Sequence, residues 1–368
     1  MDEIEELLHR AVAHGVFPGA VAQVRRGRTV VRTKAGVLAS RDRRGAEIVE
    51  SAREEVDYDV RYDLASLTKL YSAITLLSLV DDGIFGLDEP VADHLEAFRT
   101  DPDRRRVTLR HLLTHTSGLP ASWTGWARPG FRAGQDRDRV LAEIVAMPLE
   151  NPPGVAHEYS CVGYIAAMGL AEAATGVGWE PLVEGKVFHQ LGLDHSGFNP
   201  TGARCAPTED RTDLGRGVIC GVVHDETAWA LGGVSANAGV FASLADVCAL
   251  AVAVSGGLVT VLSPSSSELM WRDQLPALLG ARAAQETARI GYRQAICLRI
   301  GDLSAMGGSG AALRGITGFT GTSLVMDGAG GYAVLLSNRV HPTRNGPPVA
   351  PTRAAFAEAA GLVPAVAA

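Results

Sequence analysis

The feature that most constrains this chain is an apolar run from Leu70 to Val80, which follows directly on Leu64-Ala65-Ser66-Leu67-Thr68-Lys69. Leu70, Ile74 and Leu77 recur at helical spacing, and Gly83 after Asp81-Asp82 is a stop signal. The run therefore predicts a buried helix with a polar mouth. At that mouth Ser66 and Lys69 stand three residues apart and share one helix face. Unpaired N–H groups and the dipole at a helix start favour negative charge, which suits a serine that must carry a developing anion. The chemistry needs lysine, which loses its proton when desolvated, whereas arginine does not. Composition matters at this point. Of 34 basic residues only Lys34, Lys69 and Lys186 are lysine, so a lysine three residues after a serine stands out. The competing account is a capping serine beside a solvated lysine. The pattern S-x-x-K alone turns up about once by chance in a chain of ordinary composition.

At 368 residues the chain can bury a large core, and two subdomains are expected. It is 46% hydrophobic and 20% charged, the balance of a soluble globular protein. A net charge of −7 with no basic stripe argues against a nucleic-acid partner. Cys161, Cys205, Cys220, Cys248 and Cys297 form no C-x-x-C pair and no disulfide framework. The acidic start Met1-Asp2-Glu3-Ile4-Glu5-Glu6 is unlike an export signal. The most apolar segment, Ala249 to Leu262, is broken by Ser255-Gly256-Gly257 and is short for a bilayer span. These features lead us to expect a cytoplasmic protein without a membrane partner.

Residues 2–14 read as an amphipathic helix, and Val21–Val24 with Thr29–Arg32 as a hairpin turning at Arg26-Gly27-Arg28. Residues 38–60 read as an irregular surface excursion, and Gly86 to Pro90 as a turn into a short helix. Thr108 is a cap for a helix that Gly118 ends, and a further helix runs from Ile165 to Ala174. From Ile290 the pattern changes to strands over 291–300, 322–327 and 331–337, with turns at 315–321 and 327–331, then a helix at about 351–361. Helices fill the middle and strands occupy both ends. The expected architecture is α/β plus all-α: a sheet domain from residues 1–85 and 287–368, a mainly helical domain from 86–286, and a site between them.

His111 and His115 have the spacing of a zinc helix, but H-E-x-x-H needs Glu where Leu112 stands, so both histidines read as structural and no metal is expected. Residues 120–138 form a long irregular stretch with Trp123, Trp126 and Phe131. They read either as a surface loop packed by its own aromatics or as the wall of a binding cleft.

Further motifs follow Ser66-x-x-Lys69 in order: LLTHTSGL at 112–119, Pro153-Gly154 with Glu158-Tyr159-Ser160, Ala206-Pro207-Thr208-Glu209, Val223-His224-Asp225-Glu226, and Thr317-Gly318 between late strands. In this order, over about residues 15–345, the chain resembles the serine β-lactamase-related family, more narrowly class C β-lactamases, DD-peptidases and their esterase and transesterase relatives. The resemblance implies a mostly antiparallel sheet flanked by helices with a helical domain beside it. It also implies roles. Ser66 matches the acylated nucleophile, Lys69 its activator, and Tyr159 the residue that takes and returns protons. The backbone N–H groups of Ser66 and Phe319 match the oxyanion hole. Which of Lys69 and Tyr159 removes the first proton stays open. Either needs a pKa pulled toward neutrality, by burial of Lys69 or by a cation beside Tyr159. No cofactor is implied.

Two departures stand out. Cys161 occupies the place of the Asn in Y-x-N, and a thiol replaces an amide's bonds poorly. Ile316 stands where the family has Lys or His before Thr317-Gly318, which removes a cation that would hold a substrate carboxylate. Both argue against β-lactams and peptidoglycan stem peptides. The expected function is serine-dependent acyl transfer from a small-molecule ester donor through a Ser66 acyl-enzyme. An amine or alcohol acceptor makes it a biosynthetic transacylase; water makes it an esterase. The alternatives are a β-lactamase or DD-peptidase, and a weakly catalytic binding or sensor protein. Cys161, Ile316, Thr317, Gly318, Trp123 and Trp126 are the candidate substrate contacts. The sequence leaves the oligomeric state open.

Overall fold

The computed structural model describes residues 2–128, 130–131, 136–291, 293–307 and 313–362. Parts of the 120–138 loop and of the 291–300 segment lie outside the described residues. Helix α1 (Asp2–Ala13) leads into strands β1 (Gly19–Arg26) and β2 (Thr29–Gly36), an antiparallel hairpin whose Gly27 turns at φ +54°. Strand β3 (Tyr62–Asp63) runs into helix α2 (Thr68–Asp81), followed by α3 (Leu109–Leu113), α4 (Arg137–Val145) and α5 (Cys161–Thr175). The remaining strands are β4 (Gly197–Phe198), β5 (Val240–Ala242), β6 (Arg293–Gln294), β7 (Arg299–Ile300), β8 (Arg314–Thr317), β9 (Ser323–Met326) and β10 (Tyr332–Ser337).

Seven strands form one antiparallel sheet in the order β2-β1-β10-β9-β8-β7-β6. The two ends of the chain meet at its centre, where Ala20 pairs with Ser337 and Arg25 with Tyr332. Side chains alternate between two cores, as the period of a strand requires. Val21, Ile316, Leu324, Met326, Val334 and Leu336 pack in the core that holds α2 and α5. Ala20, Ala22, Val24, Val325, Ala333 and Leu335 pack with α1 and the Ala350–Ala360 helix. Because β10 is covered on both faces, its residues from Ala333 to Leu336 are apolar without alternation, and all six of its residues are buried. Helix α2 is buried from Thr68 to Leu79 on every side, which explains an apolar run with no polar face, and Gly83 behind it turns at φ +73°.

The expected α/β plus all-α fold is observed, with local differences. The predicted strand 291–300 is two strands, because the chain turns between Ala295 and Leu298 with Cys297 at φ +66°. Residues 314–317 are strand β8, although 315–317 read as turn. Helix α3 stops at Leu113, before Gly118; a Cβ at Gly118 would lie 1.8 Å from the Asn151 carbonyl oxygen, so this glycine serves a close crossing of two loops. Helix α5 starts at Cys161, four residues earlier than expected, because Ser160 caps it by accepting from the Gly163 N–H. A second sheet, β3-β5-β4, carried no sequence signal of its own. Among the described residues no single helix is long and apolar enough to cross a membrane.

Candidate active site

Ser66 sits on a strained corner between β3 and α2. Ala65 has φ +46°, a left-handed conformation that costs a non-glycine residue about 1 kcal/mol or more. The buried Asp63 carboxylate holds the corner, accepting from the Ala65 N–H at 2.9 Å and from the His224 N–H at 2.6 Å. Burial raises the Asp63 pKa even though both of these bonds favour the charge. Residues Ala65–Leu67 make one tight helical turn before α2 begins, so Ser66 faces the cleft at the helix mouth.

Three of the predicted residues converge there. The Tyr159 hydroxyl donates to Ser66 Oγ at 2.8 Å, and the Lys69 ammonium donates to the same oxygen at 3.0 Å. Lys69 is 1% exposed, and its other donors reach the Asn237 main-chain oxygen at 2.9 Å and Cys161 Sγ at 3.5 Å. Burial opposes the lysine charge, but its electrostatic interaction with the neighbouring Cys161 and Tyr159 outweighs it, and the Lys69 pKa lies above the ordinary lysine value. Burial acts in the expected direction, but the net shift is upward, which favours the ammonium form of Lys69.

Tyr159 is fixed by its neighbours in the chain. The His115 carbonyl accepts from the Glu158 N–H at 2.9 Å, and His115 Nδ1 accepts from the Ser160 N–H at 3.1 Å. The His115 ring also lies 4.4 Å from the Tyr159 ring. Burial first, then the neighbouring His157 and Lys69 charges, push the His115 pKa well below the ordinary value, so its ring is a neutral clamp. His111 completes a capping box with Thr108 at the start of α3. Both histidines are structural. Among the described residues no three His, Cys, Asp or Glu side chains are placed to hold a metal ion.

The Ile316-Thr317-Gly318 segment lies along the other wall. Ile316 is buried in the core and presents no polar group to the cleft. Gly318 is required sterically: a Cβ there would lie 2.3 Å from the Leu64 oxygen and 2.1 Å from Thr322 Oγ1. Thr320 Oγ1 donates to the Asp63 oxygen at 2.7 Å and Thr322 Oγ1 to the Leu64 oxygen at 3.0 Å, which stitches the turn to the Ser66 corner. Arg353 reaches through the sheet to the Gly318 and Thr322 carbonyls at 2.5 and 2.9 Å. The Phe319 N–H, at the tip of this turn, has no protein acceptor among the described residues. Its ring is half exposed, stacks on His224 at 5.5 Å and lies 4.9 Å below the Arg339 guanidinium.

Trp123 is 3% exposed and packs on Phe131 at 5.9 Å, so it is a core residue and not an exposed aromatic; Trp126 is partly buried beside it. Their loop still flanks the site, because the Pro120 carbonyl accepts from Ser160 Oγ at 2.6 Å and the Ala121 carbonyl from the Cys161 N–H at 2.8 Å. Sequence reasoning missed Asp63, Asn237, Arg299 and Arg353. Arg299 lies 5.5 Å from the Tyr159 ring centroid and pairs with Asp302 at 2.7 Å. The APTE and VHDE motifs were visible, and the structure joins them: His224 Nε2 and Glu209 lie 3.0 Å apart, with Arg344 on the same carboxylate.

A nucleophile, a tyrosine and an ammonium on one oxygen, facing a turn with a free N–H, is a site for acyl chemistry. A family model described as Beta-lactamase matches residues 4–358. The chain belongs to the beta-lactamase family. Beta-lactamase relatives include an N-acetylmuramyl-L-alanine amidase of Bacillus subtilis (strain 168), 29% identical over 92% of this chain and 81% of its own. A second, from Escherichia coli (strain K12), bears the provisional name D-alanyl-D-alanine carboxypeptidase and is 30% identical over 76% of this chain and 69% of its own. Among solved structures, EstCE1, "a hydrolase with promiscuous acyltransferase activity", superposes with a TM-score of 0.74 at 19% identity, covering 98% of this chain and 97% of its own. Simvastatin synthase (LovD) from Aspergillus terreus gives 0.70 at 21% identity, covering 97% and 98%. The solved structures establish the beta-lactamase fold, and the family match supports a serine hydrolase type of enzyme.

Proposed function

We propose that the protein is a serine acyl-transfer enzyme that takes its acyl group from an uncharged ester donor. The observation that carries this reading is the pair of hydrogen bonds from Tyr159 and Lys69 to Ser66 Oγ beside a third motif whose first residue, Ile316, is buried in the core. Tyr159, oriented on Ser66 Oγ, serves as the base that takes the Ser66 proton as Oγ attacks the carbonyl carbon, and the Lys69 ammonium beside it offsets the negative charge that develops. The tetrahedral oxyanion then faces the N–H groups of Ser66 and Phe319. Collapse breaks the ester bond, and Tyr159 passes the proton to the leaving alkoxide. The reverse sequence, with an amine, an alcohol or water, releases the acyl group.

One observation favours the peptidase reading suggested by the names of the sequence relatives: Arg299 brings a cation to the Tyr159 ring. Its charge is neutralised by Asp302, which is 6% exposed on its side chain, and this pairing supports the uncharged donor. All five cysteines are free, which supports a reducing, cytoplasmic setting for the enzyme.

The test is intact-protein mass spectrometry with short-chain p-nitrophenyl and methyl esters, with and without amines, on wild type and Ser66→Ala. An acyl adduct on wild type alone supports the reading. Amide formation on adding amines identifies a transacylase, and clearance by water alone an esterase. No adduct with any ester, together with release of D-alanine from a D-Ala-D-Ala peptide, would replace this reading with the peptidase.

A further inference from the structure

The Ala350–Ala360 helix buries Arg353, Phe356, Ala357 and Ala360. These positions form one stripe at helical spacing, and such a stripe is normally apolar throughout. Arg353 breaks it. It forms no ion pair among the described residues: Asp302, the acid that acts on it, is held by Arg299 at 2.7 Å. Its Nε is buried without a partner among the described residues. Burial lowers its pKa only to about 10, so it stays a cation at neutral pH. A buried cation without an acid is costly to a fold, so its role lies in what it touches.

Arg353 Nη2 donates to the Gly318 carbonyl at 2.5 Å and to the Thr322 carbonyl at 2.9 Å, at the two ends of the turn between β8 and β9. Neither carbonyl depends on it for a partner. The Gly318 oxygen also accepts from the Gly321 N–H at 3.1 Å, and the Thr322 oxygen from the Gly318 N–H at 2.8 Å. The guanidinium adds a charge on one particular peptide. The Gly318 carbonyl and the Phe319 N–H belong to the same planar group, which is trans, so they point in opposite directions. Pinning the carbonyl from the helix side therefore fixes where the N–H points. Drawing electron density onto the carbonyl oxygen also makes the N–H a stronger donor, as in any chain of hydrogen bonds that polarise one another.

We infer that Arg353 is a positioning residue for the reaction at Ser66: from the far side of the sheet its guanidinium orients and polarises the Gly318–Phe319 peptide, so that the Phe319 N–H meets the oxyanion as a stronger donor. The inference rests on the acyl-transfer reading of Ser66 and adds to it a residue that never touches the substrate. The added donor strength counts for most when the oxyanion forms, because the N–H then faces a full negative charge in place of a carbonyl dipole. Its effect falls on kcat.

The test compares wild type, Arg353→Met and Arg353→Lys on a p-nitrophenyl ester with an isotope-labelled acyl carbonyl. Methionine removes a buried charge that has no acid partner and leaves both carbonyls bonded, so the fold should survive. Arg353→Met should lower kcat by about tenfold to a hundredfold, less than the removal of an oxyanion donor, with KM changed about twofold at most. Arg353→Lys, which keeps a charged donor, should recover part of that loss. Infrared difference spectra of the acyl-enzyme read the donor itself: the labelled carbonyl should stretch at a higher frequency in Arg353→Met than in wild type, because the N–H holds it less firmly. Wild-type kcat with an unshifted carbonyl in a folded Arg353→Met protein would overturn the inference. So would a fall in kcat with an unshifted carbonyl, the mark of a merely structural role. Should Arg353→Met not fold, Arg353→Gln is read by the same two measurements. Absence of an acyl-enzyme in wild type itself would instead remove the acyl-transfer reading, and this inference with it.

Discussion

The Lys69 ammonium donates to the main-chain carbonyl of Asn237 at 2.9 Å, a partner that no side-chain substitution at position 237 removes. With Ser66 Oγ and Cys161 Sγ this fills the three donors of a lysine. The ammonium is therefore a fixed charge aimed at the nucleophile. Lys69→Met should lower kcat/KM for ester cleavage by about a thousandfold or more. Lys69→Arg should not restore it, because a planar guanidinium cannot serve the three directions of the ammonium. Burst amplitude with a p-nitrophenyl ester measures both; a Lys69→Met protein with about a tenth of wild-type activity would remove the lysine from the mechanism.

Cys161 offers Lys69 a weak sulfur partner at 3.5 Å. Cys161→Asn puts an amide in its place, with a donor and an acceptor. Ester turnover should change by a few-fold at most, while turnover of an acyl donor that carries an amide next to its carbonyl should rise about tenfold, the worth of one added hydrogen bond. Comparing kcat/KM for matched donors with and without that amide reads the difference. An equal change for both donors would mean that position 161 does not face the acyl group.

Gly318→Ala drives a Cβ into the Leu64 oxygen and Thr322 Oγ1, so the turn must move off the Ser66 corner. The Phe319 N–H moves with it. Loss of one oxyanion donor costs about a hundredfold or more in kcat. We expect that loss with KM little changed, read from steady-state kinetics beside a melting curve. Wild-type kcat in a folded Gly318→Ala protein would exclude the Phe319 N–H from the reaction.

Acid should destabilise the fold in two stages. Burial and neighbouring charges hold His115 well below its ordinary pKa, and burial holds His157 down to about 4. The unfolded chain takes up protons at these rings from about pH 6.5 downward while the folded chain does not. Their contribution is thus complete above that pH and is lost as pH falls toward 4. Glu209 adds the second stage: against the effect of burial, His224 and Arg344 hold it down to about 2, so its contribution disappears below the ordinary glutamate pKa of 4.5. Asp63, raised by burial, works the other way at the acid end. The melting temperature should fall between pH 6.5 and 4, and less steeply in His157→Gln; a flat profile over that range would contradict the burial of these rings.

Much of the catalytic constellation was legible because it is made of side chains at fixed offsets. Ser66, Lys69 and Tyr159 announce themselves by type and by motif order, and the structure brings them within 3.0 Å of one oxygen. Asn237 was not legible, because it acts through a main-chain carbonyl and any residue has one. Nor was the strained corner, since Ala65 gives no signal of a positive φ that the folded environment imposes. Strands of two residues, such as β6 and β7, are too short for alternation to show, so the placement of Arg299 against Tyr159 depended on a sheet order that no local pattern encodes. Trp123 misled in the opposite sense: a loop rich in Gly and Pro looked exposed, yet its aromatic side chain fills the core.

The pairing of β1 with β10 has a consequence for how the molecule is made. The β1–β2 hairpin leaves the ribosome with one edge of β1 unpaired until Tyr332–Ser337 arrives, more than three hundred residues later. At about 5–20 residues per second the hairpin waits roughly 15–60 s. During that time one edge of β1 and the apolar run of α2 are uncovered, so the nascent chain depends on holding factors or on slow, late closure. The Gly318 turn is stitched to the Ser66 corner only once the strands on either side of it, 314–317 and 323–326, have emerged, so the Phe319 N–H reaches the nucleophile late in folding.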